Sequence, residues 1–181
     1  MVAIGDVLDF WFADGMSERW FVRDSMFDAE VRRLLSPGYE RARDGLLDDW
    51  ESTARGCVAL CILLDQVPRN LFRDDPRAFA TDGRALEVAR HALSLGLQSE
   101  LTQRERLFLY LPLEHSESLE DQQVCVELTR SLDADPSWYE YAVRHREIIE
   151  RFGRFPHRNA ALGRETTAEE ATFLAEPNSS F

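Results

Sequence analysis

The sequence contains no lysine, so all 21 of its basic side chains are arginines. Chemistry that runs through a lysine, whether a Schiff base or the cation of a phosphate-binding loop, is therefore excluded. Cysteine is also scarce. Cys57, Cys61 and Cys125 are an odd number in apolar surroundings, which argues against a disulfide framework and for a reducing compartment, with the cytoplasm expected. No apolar run approaches the ~20 residues that span a bilayer, and no basic segment followed by an apolar one opens the chain. Missing too are a Gly-x-Ser-x-Gly elbow, a Gly-x-Gly-x-x-Gly loop, a phosphate-loop motif, and the Glu-x-x-His and His-Glu-x-x-His pairs through which helices hold catalytic metals. Neither a cofactor nor a metal is expected.

What the chain has in excess is acid. With 33 acidic residues against 21 basic ones the formal net charge is -12, a field that repels phosphate backbones and anionic lipid heads. Nucleic acid and membranes are disfavoured as partners, which leaves a protein or peptide partner and a small anionic ligand. At 181 residues the chain fits one domain, residues 1–181, able to bury roughly 70% of its unfolded surface.

Apolar residues recur at helical spacing throughout and no stretch alternates as a strand does. The expected class is all-α, with about seven to nine helices in antiparallel pairs joined by short connections. Ile4, Val7, Leu8 and Trp11 stripe the first helix. Phe27, Val31, Leu34 and Leu35 stripe the second, which Ser36-Pro37-Gly38 is expected to stop before a third turns Tyr39, Ala42, Leu46 and Trp50 inward. From Cys57 to Leu64 every residue is apolar, which predicts a helix buried on nearly all sides that carries Asp65 towards the core before Pro68 breaks it. Thr81-Asp82 caps the next helix. Thr102-Gln103-Arg104-Glu105 opens another, with Pro112 kinking or ending it. Leu119 to Leu132 form one more, Asp135-Pro136 starts a long helix that ends near Phe152, and Thr167 to Glu170 cap a short last one.

The densest polar stretch runs from Arg151 to Arg164, where arginines, a histidine, an amide and aromatics surround Gly153 and Pro156. It contains Arg154-Phe155-Pro156-His157-Arg158-Asn159. Together with Asp6–Phe12, Leu63–Arg73, Leu113–Glu117 and the terminal Ser179-Ser180-Phe181, that string resembles the bacterial domain-of-unknown-function 924 family along the whole chain. The resemblance implies an all-helical fold of stacked antiparallel helix pairs, a right-handed array similar to tetratricopeptide-repeat proteins. It implies no known activity. No tetratricopeptide consensus recurs here at a fixed period.

These strings concentrate a candidate polar cluster: Asp65, Gln66, Arg69 and Asn70, then Glu114, His115 and Glu117, then His145, then Arg154, His157, Arg158 and Asn159. His145 is flanked at helical spacings by Tyr141, Ala142, Ile148, Ile149 and Phe152, so it sits mid-stripe on a buried face. The ordinary reading is a core histidine holding one hydrogen bond; a facing Glu114 or Asp65 would make it half of a proton-handling pair. Arg69, Arg154 and Arg158, with Asn70, Asn159 and His157, compose either a donor-rich anion pocket or a network that neutralises Asp65, Glu114 and Glu117. The network is favoured, because buried arginines are usually paired. Arg154 and Arg151 also have acids one turn earlier, Glu150 and Glu147. Cys57 and Cys61 read as core, and so do the aromatic residues Phe10, Trp11, Phe12, Trp20, Phe21 and Trp50, the alternative for the aromatics being the lining of a groove.

Two function classes remain. One is a helical-pair scaffold that binds a protein or peptide, which fold analogy favours. The other is a small-molecule or anion-binding enzyme working through Asp65, Glu114, His115, His145 and Arg158.

Overall fold

In a computed structural model the described residues are 2–177 and Ser179, so Ser180 and Phe181 of the terminal string lie outside them. Among the described residues all regular structure is helical: α1 (Ile4–Trp11), α2 (Ser25–Arg43), α3 (Ala54–Cys61), α4 (Val67–Leu71), α5 (Asp82–Ser94), α6 (Gln103–Glu114), α7 (Leu119–Thr129), α8 (Pro136–Phe152) and α9 (Ala168–Leu174), with short three-residue-per-turn segments between some of them. Local chemistry sets most of the starts. Asp24, Thr53 and Asp135 accept hydrogen bonds from the first-turn amides of α2, α3 and α8. Thr102 with Glu105, and Thr167 with Glu170, form reciprocal capping boxes at α6 and α9.

Prolines behave differently from expectation. Pro37 does not stop the second helix, because Phe27, Val31, Leu35, Gly38, Tyr39 and Ala42 form one unbroken buried stripe whose packing outweighs a missing backbone bond. Gly38 lets that helix close on the core: a Cβ there would lie 3.0 Å from Leu63 Cδ2. The helix ends instead at Asp44 and the left-handed Gly45, so Leu46 is exposed rather than inward. Pro112 likewise sits within α6, which runs on to Glu114.

Pro68 is the most informative case. The chain does not break there; α3 and α4 are one rod joined by a π-helical turn, Ile62–Gln66. Pro68 has no N–H to return to a carbonyl of the preceding turn, where Val67 bonds five residues back to Ile62. The buried Thr81 hydroxyl donates to the carbonyl of Leu64 in that same turn. Thr81 is consequently not a side-chain cap for α5, as its sequence position suggested.

The rod is the centre of the molecule. Every residue from Cys57 to Pro68 is buried, and the rod packs against α1, α2, α5 and α6. Successive helices α5 to α8 then pack each on the next. An aromatic group around Phe108, made by Trp11, Phe12 and Trp20 at 4.7 to 5.6 Å between ring centroids, closes one end. A smaller cluster of Ile148, Ile149, Phe155 and Phe173 closes the other. Among the described residues no helix is long and apolar enough to cross a membrane.

Candidate functional site

The site forms where the π-turn of the rod, the C-terminal end of α6, the middle of α8 and the segment after α8 converge. A π-turn widens the helix by one residue and re-aims the side chains it carries. Here those are Asp65 and Gln66, both buried. Glu114 and His115 arrive at the end of α6. Their backbone is held by Gln122 of α7, whose amide donates to the carbonyls of Glu114 at 2.5 Å and Ser116 at 2.7 Å. His145 comes from α8. Gly153, at φ +67°, then ends α8 in the left-handed conformation that glycine tolerates, and turns the chain so that Phe155 and Arg158 fold back over the site.

Asp65 is the hub. Its Oδ1 lies 2.7 Å from His115 Nδ1 and 3.3 Å from Arg69 Nη1, while Gln66 Nε2 donates to Oδ2 at 2.5 Å. Burial alone would push this carboxyl up, but Arg69, His115 and Gln66 outweigh it and hold it well below the usual carboxylate range. His115 moves the other way: burial, then the charge of Arg69, lower it against the pull of Asp65. Asp65 is thus ionised and His115 neutral. An ionised carboxylate only accepts, so His115 carries its proton on Nδ1 and its lone pair on Nε2.

Glu114 and His145 form a second pair with the opposite logic. Their closest approach is 3.3 Å, a distance at which an ion pair would form. Burial, reinforced by the charge of Asp65, raises Glu114 to about 8, and burial with the neighbouring His115 lowers His145 to about 3. The contact is therefore between a protonated acid and a neutral imidazole. His145 Nδ1 also lies 2.8 Å from the carbonyl of Tyr141, which can only accept, so this ring too is protonated on Nδ1. The two imidazole rings are 6.1 Å apart.

Asp82, marked in the sequence only as part of a helix start, completes the arrangement. It accepts a forked pair of bonds from Arg69 at 2.8 and 3.0 Å and a further bond from Arg158 Nη1 at 3.3 Å. Arg158 also donates to the carbonyl of His115 at 2.9 Å and lies between the Phe79 and Phe155 rings, 4.9 and 4.6 Å from their centroids. Burial, with Arg69 next, lowers it to about 10. Two carboxylates and two guanidiniums cancel, leaving the site without surplus charge. Arg158 therefore neutralises Asp82, rather than Asp65 or Glu114 as expected, and Glu114 dispenses with a cation by staying protonated.

Of the twelve candidate residues, Asp65, Gln66, Arg69, Glu114, His115, His145 and Arg158 share this network. His157 lies beside it; burial, then Arg158, lower its imidazole to about 3. Glu117 is at the flank, paired with Arg164 at 2.8 Å and accepting from the Phe155 amide at 2.8 Å. Arg154 and Asn159 turn away from the network to the buried Glu170 of α9, at 2.6 and 3.3 Å. Glu150 is not Arg154's partner, because Gly153 takes Arg154 off the helical face, and Glu150 pairs with Arg146. Arg151 likewise pairs with Glu169 rather than Glu147. Asn70 faces away altogether, donating to Asp28 of α2 at 2.8 Å. Asp82 and Phe79 had no signal beyond an acid at a helix start and an aromatic in a turn. Among the described residues no group of three or more His, Cys, Asp and Glu side chains is arranged to hold a metal ion.

The family described as bacterial protein of unknown function (DUF924) matches residues 7–178. A solved structure of a protein of unknown function from Agrobacterium tumefaciens is similar to the chain at 38% sequence identity, with a TM-score of 0.90 over 95% of this chain and 96% of that one. No curated protein matches the chain.

Proposed function

The chain belongs to the bacterial DUF924 family, and since that name carries no chemistry we propose from the site alone that the protein performs acid–base chemistry on a small molecule. The observation that carries this reading is the 2.7 Å bond between Asp65 and His115 at a partly exposed edge of the cluster. The His115 side chain is 14% exposed, and Arg69 and Asp82 beside it are 20% exposed, whereas Asp65 is 1% exposed. A buried carboxylate that fixes an imidazole tautomer leaves Nε2 as a positioned base. In this reading Nε2 of His115 accepts a proton from an O–H or N–H of the bound molecule, and Asp65 stabilises the imidazolium that results.

Three further features support it. Titratable groups driven in opposite directions in one site are a signature of acid–base assignment, and here Asp65 stays ionised while Glu114 holds a proton to about pH 8. The base is mounted against a π-turn, a helix irregularity frequent at functional sites. Arg69 and Arg158 are forked donors whose partner Asp82 is partly exposed, so an anionic substituent of the ligand can compete for them. A scaffold role needs none of these groups at the solvent edge.

Nitrogen-detected NMR of the histidine rings tests the proposal. At pH 7 His115 is expected as the neutral Nδ1–H form, and titration with a library of small carboxylates, phosphates and amides should shift its ring signals for at least one class. That binding should vanish in His115→Gln and persist in His91→Gln. A His115 ring that no compound perturbs, in a folded protein that gives no adduct by native mass spectrometry, would overturn the reading.

A further inference from the structure

The string Leu63–Arg73 divides in space. Asp65, Gln66 and Arg69 serve the site above, but Asn70 and Arg73 turn to the opposite side of the rod. There both bond Asp28 of α2, Asn70 at 2.8 Å and Arg73 at 2.6 and 2.7 Å. These three residues line an open groove of about 800 Å³ between the N-terminal half of α2 and the end of α4, and Arg23, Arg32 and Arg33 line it with them.

The groove is a local exception to the charge of the molecule. Asp28 answers Arg73, and Asp74 answers Arg23. Arg32 donates to the carbonyl of Leu71 at the end of α4, which is no full negative charge. Arg33 is exposed and forms no ion pair among the described residues. Two guanidiniums therefore stand without a carboxylate on the wall of a groove in a protein of net charge -12. Guanidiniums bind carboxylates through matched forks, and at an open rim they are more weakly hydrated than ammonium groups.

Exposed apolar residues neighbour the arginines along the chain: Val22 precedes Arg23 and is 53% exposed, and Met26, on the α2 face of Ala29 and Arg33, is 72% exposed. We propose that this groove is the docking site for a short acidic peptide segment of a partner protein, its carboxylates on Arg32 and Arg33 and an apolar side chain on Val22 and Met26. A long polyanion such as nucleic acid meets the repulsion of the whole molecule. A short peptide with a few carboxylates meets mainly the local field, and its apolar residue gains burial that a free anion cannot. The groove lies on the opposite side of the rod from the Asp65–His115 site and is independent of the chemistry there.

Fluorescence anisotropy with the intact chain tests it, using as probe a labelled decapeptide of alternating glutamate and leucine. Binding is expected to exceed that of the matching lysine–leucine peptide, and to exceed that of a glutamate–serine peptide. It should weaken as salt rises from low to high concentration. Arg33→Glu, at an exposed position without an internal partner, should raise Kd about fivefold, and Arg32→Glu combined with Arg33→Glu by more than about tenfold. Arg104→Glu, exposed elsewhere, should leave Kd unchanged. Circular dichroism confirms that each variant is folded. Equal affinity for the acidic and basic peptides, no loss in Arg33→Glu, or full displacement by inorganic phosphate at the peptide's own concentration would each overturn the proposal, the last by reducing the groove to a simple anion site.

Discussion

Asp65 and His115 stand 50 residues apart in sequence and 2.7 Å apart in space, one on a π-turn in the middle of the central rod and the other just past the end of α6. Their bond ties two helices together and sets the imidazole tautomer at the same time. Stability and chemistry are therefore coupled at this point, and each can be measured through the other.

Asp65→Asn should lower stability by about 3–5 kcal/mol, because it leaves Arg69 with one fewer anion in a buried setting. The sign of the pH effect follows from the direction of the shift. Asp65 is held below its unfolded value, so its contribution is complete above the ordinary carboxylate range and is lost as pH falls through the lower folded value. Urea unfolding between pH 3 and pH 7 should show a shallower acid loss in Asp65→Asn than in the parent chain. Parallel curves would contradict the role of Asp65 as hub.

Glu114→Gln should have the opposite pH signature. Glu114 is raised to about 8, so the folded state holds its proton more tightly than the unfolded chain, and stability declines as pH rises from about 4.5 to 8. Glutamine keeps the shape and cannot ionise. The variant should match the parent near pH 5 and exceed it at pH 9 by at least about 1.4 kcal/mol, the equivalent of one pKa unit. An equal difference at both pH values would mean that Glu114 is ionised throughout.

Arg158→Ala and His145→Phe separate a required charge from a tolerated ring. The arginine holds Asp82 and the carbonyl of His115 and fills the space between Phe79 and Phe155. Its loss should cost about 3 kcal/mol, a fall in Tm of roughly 6–12 °C for a chain of this size. His145 is neutral and packs edge-on against Phe155 at 5.6 Å, a position that phenylalanine can occupy. Thermal unfolding should place His145→Phe well above Arg158→Ala. The reverse order would rule out Arg158 as the structural partner of Asp82.

Thr81→Val removes the donor to the Leu64 carbonyl and should cost about 1–3 kcal/mol, since that oxygen is buried. Pro68→Ala restores an N–H one turn along the rod. If Pro68 is what frees the carbonyl, the cost of Thr81→Val should shrink in the Pro68→Ala background. A double-mutant cycle by urea unfolding reads this directly; strictly additive effects would separate the proline from the threonine.

Helix chemistry that is local could be read from the sequence. The boxes at Thr102 and Thr167, the start at Asp135-Pro136, the wholly apolar run before Asp65 and the buried position of His145 all depend on residues within two turns of one another. So does the all-α class. Tertiary structure decided the rest, because it depends on groups far apart in sequence. Packing against the rod carried α2 through Pro37, and a threonine far along the chain supplies a donor to the Leu64 carbonyl in the turn before Pro68. Charge pairing was decided there too: with 21 arginines and 33 acids, local spacing offers Arg154 a partner in Glu150, whereas the chain reversal at Gly153 delivers it to Glu170. The same reversal lays Arg158 over Asp82, and that contact leaves Glu114 to remain neutral by keeping its proton.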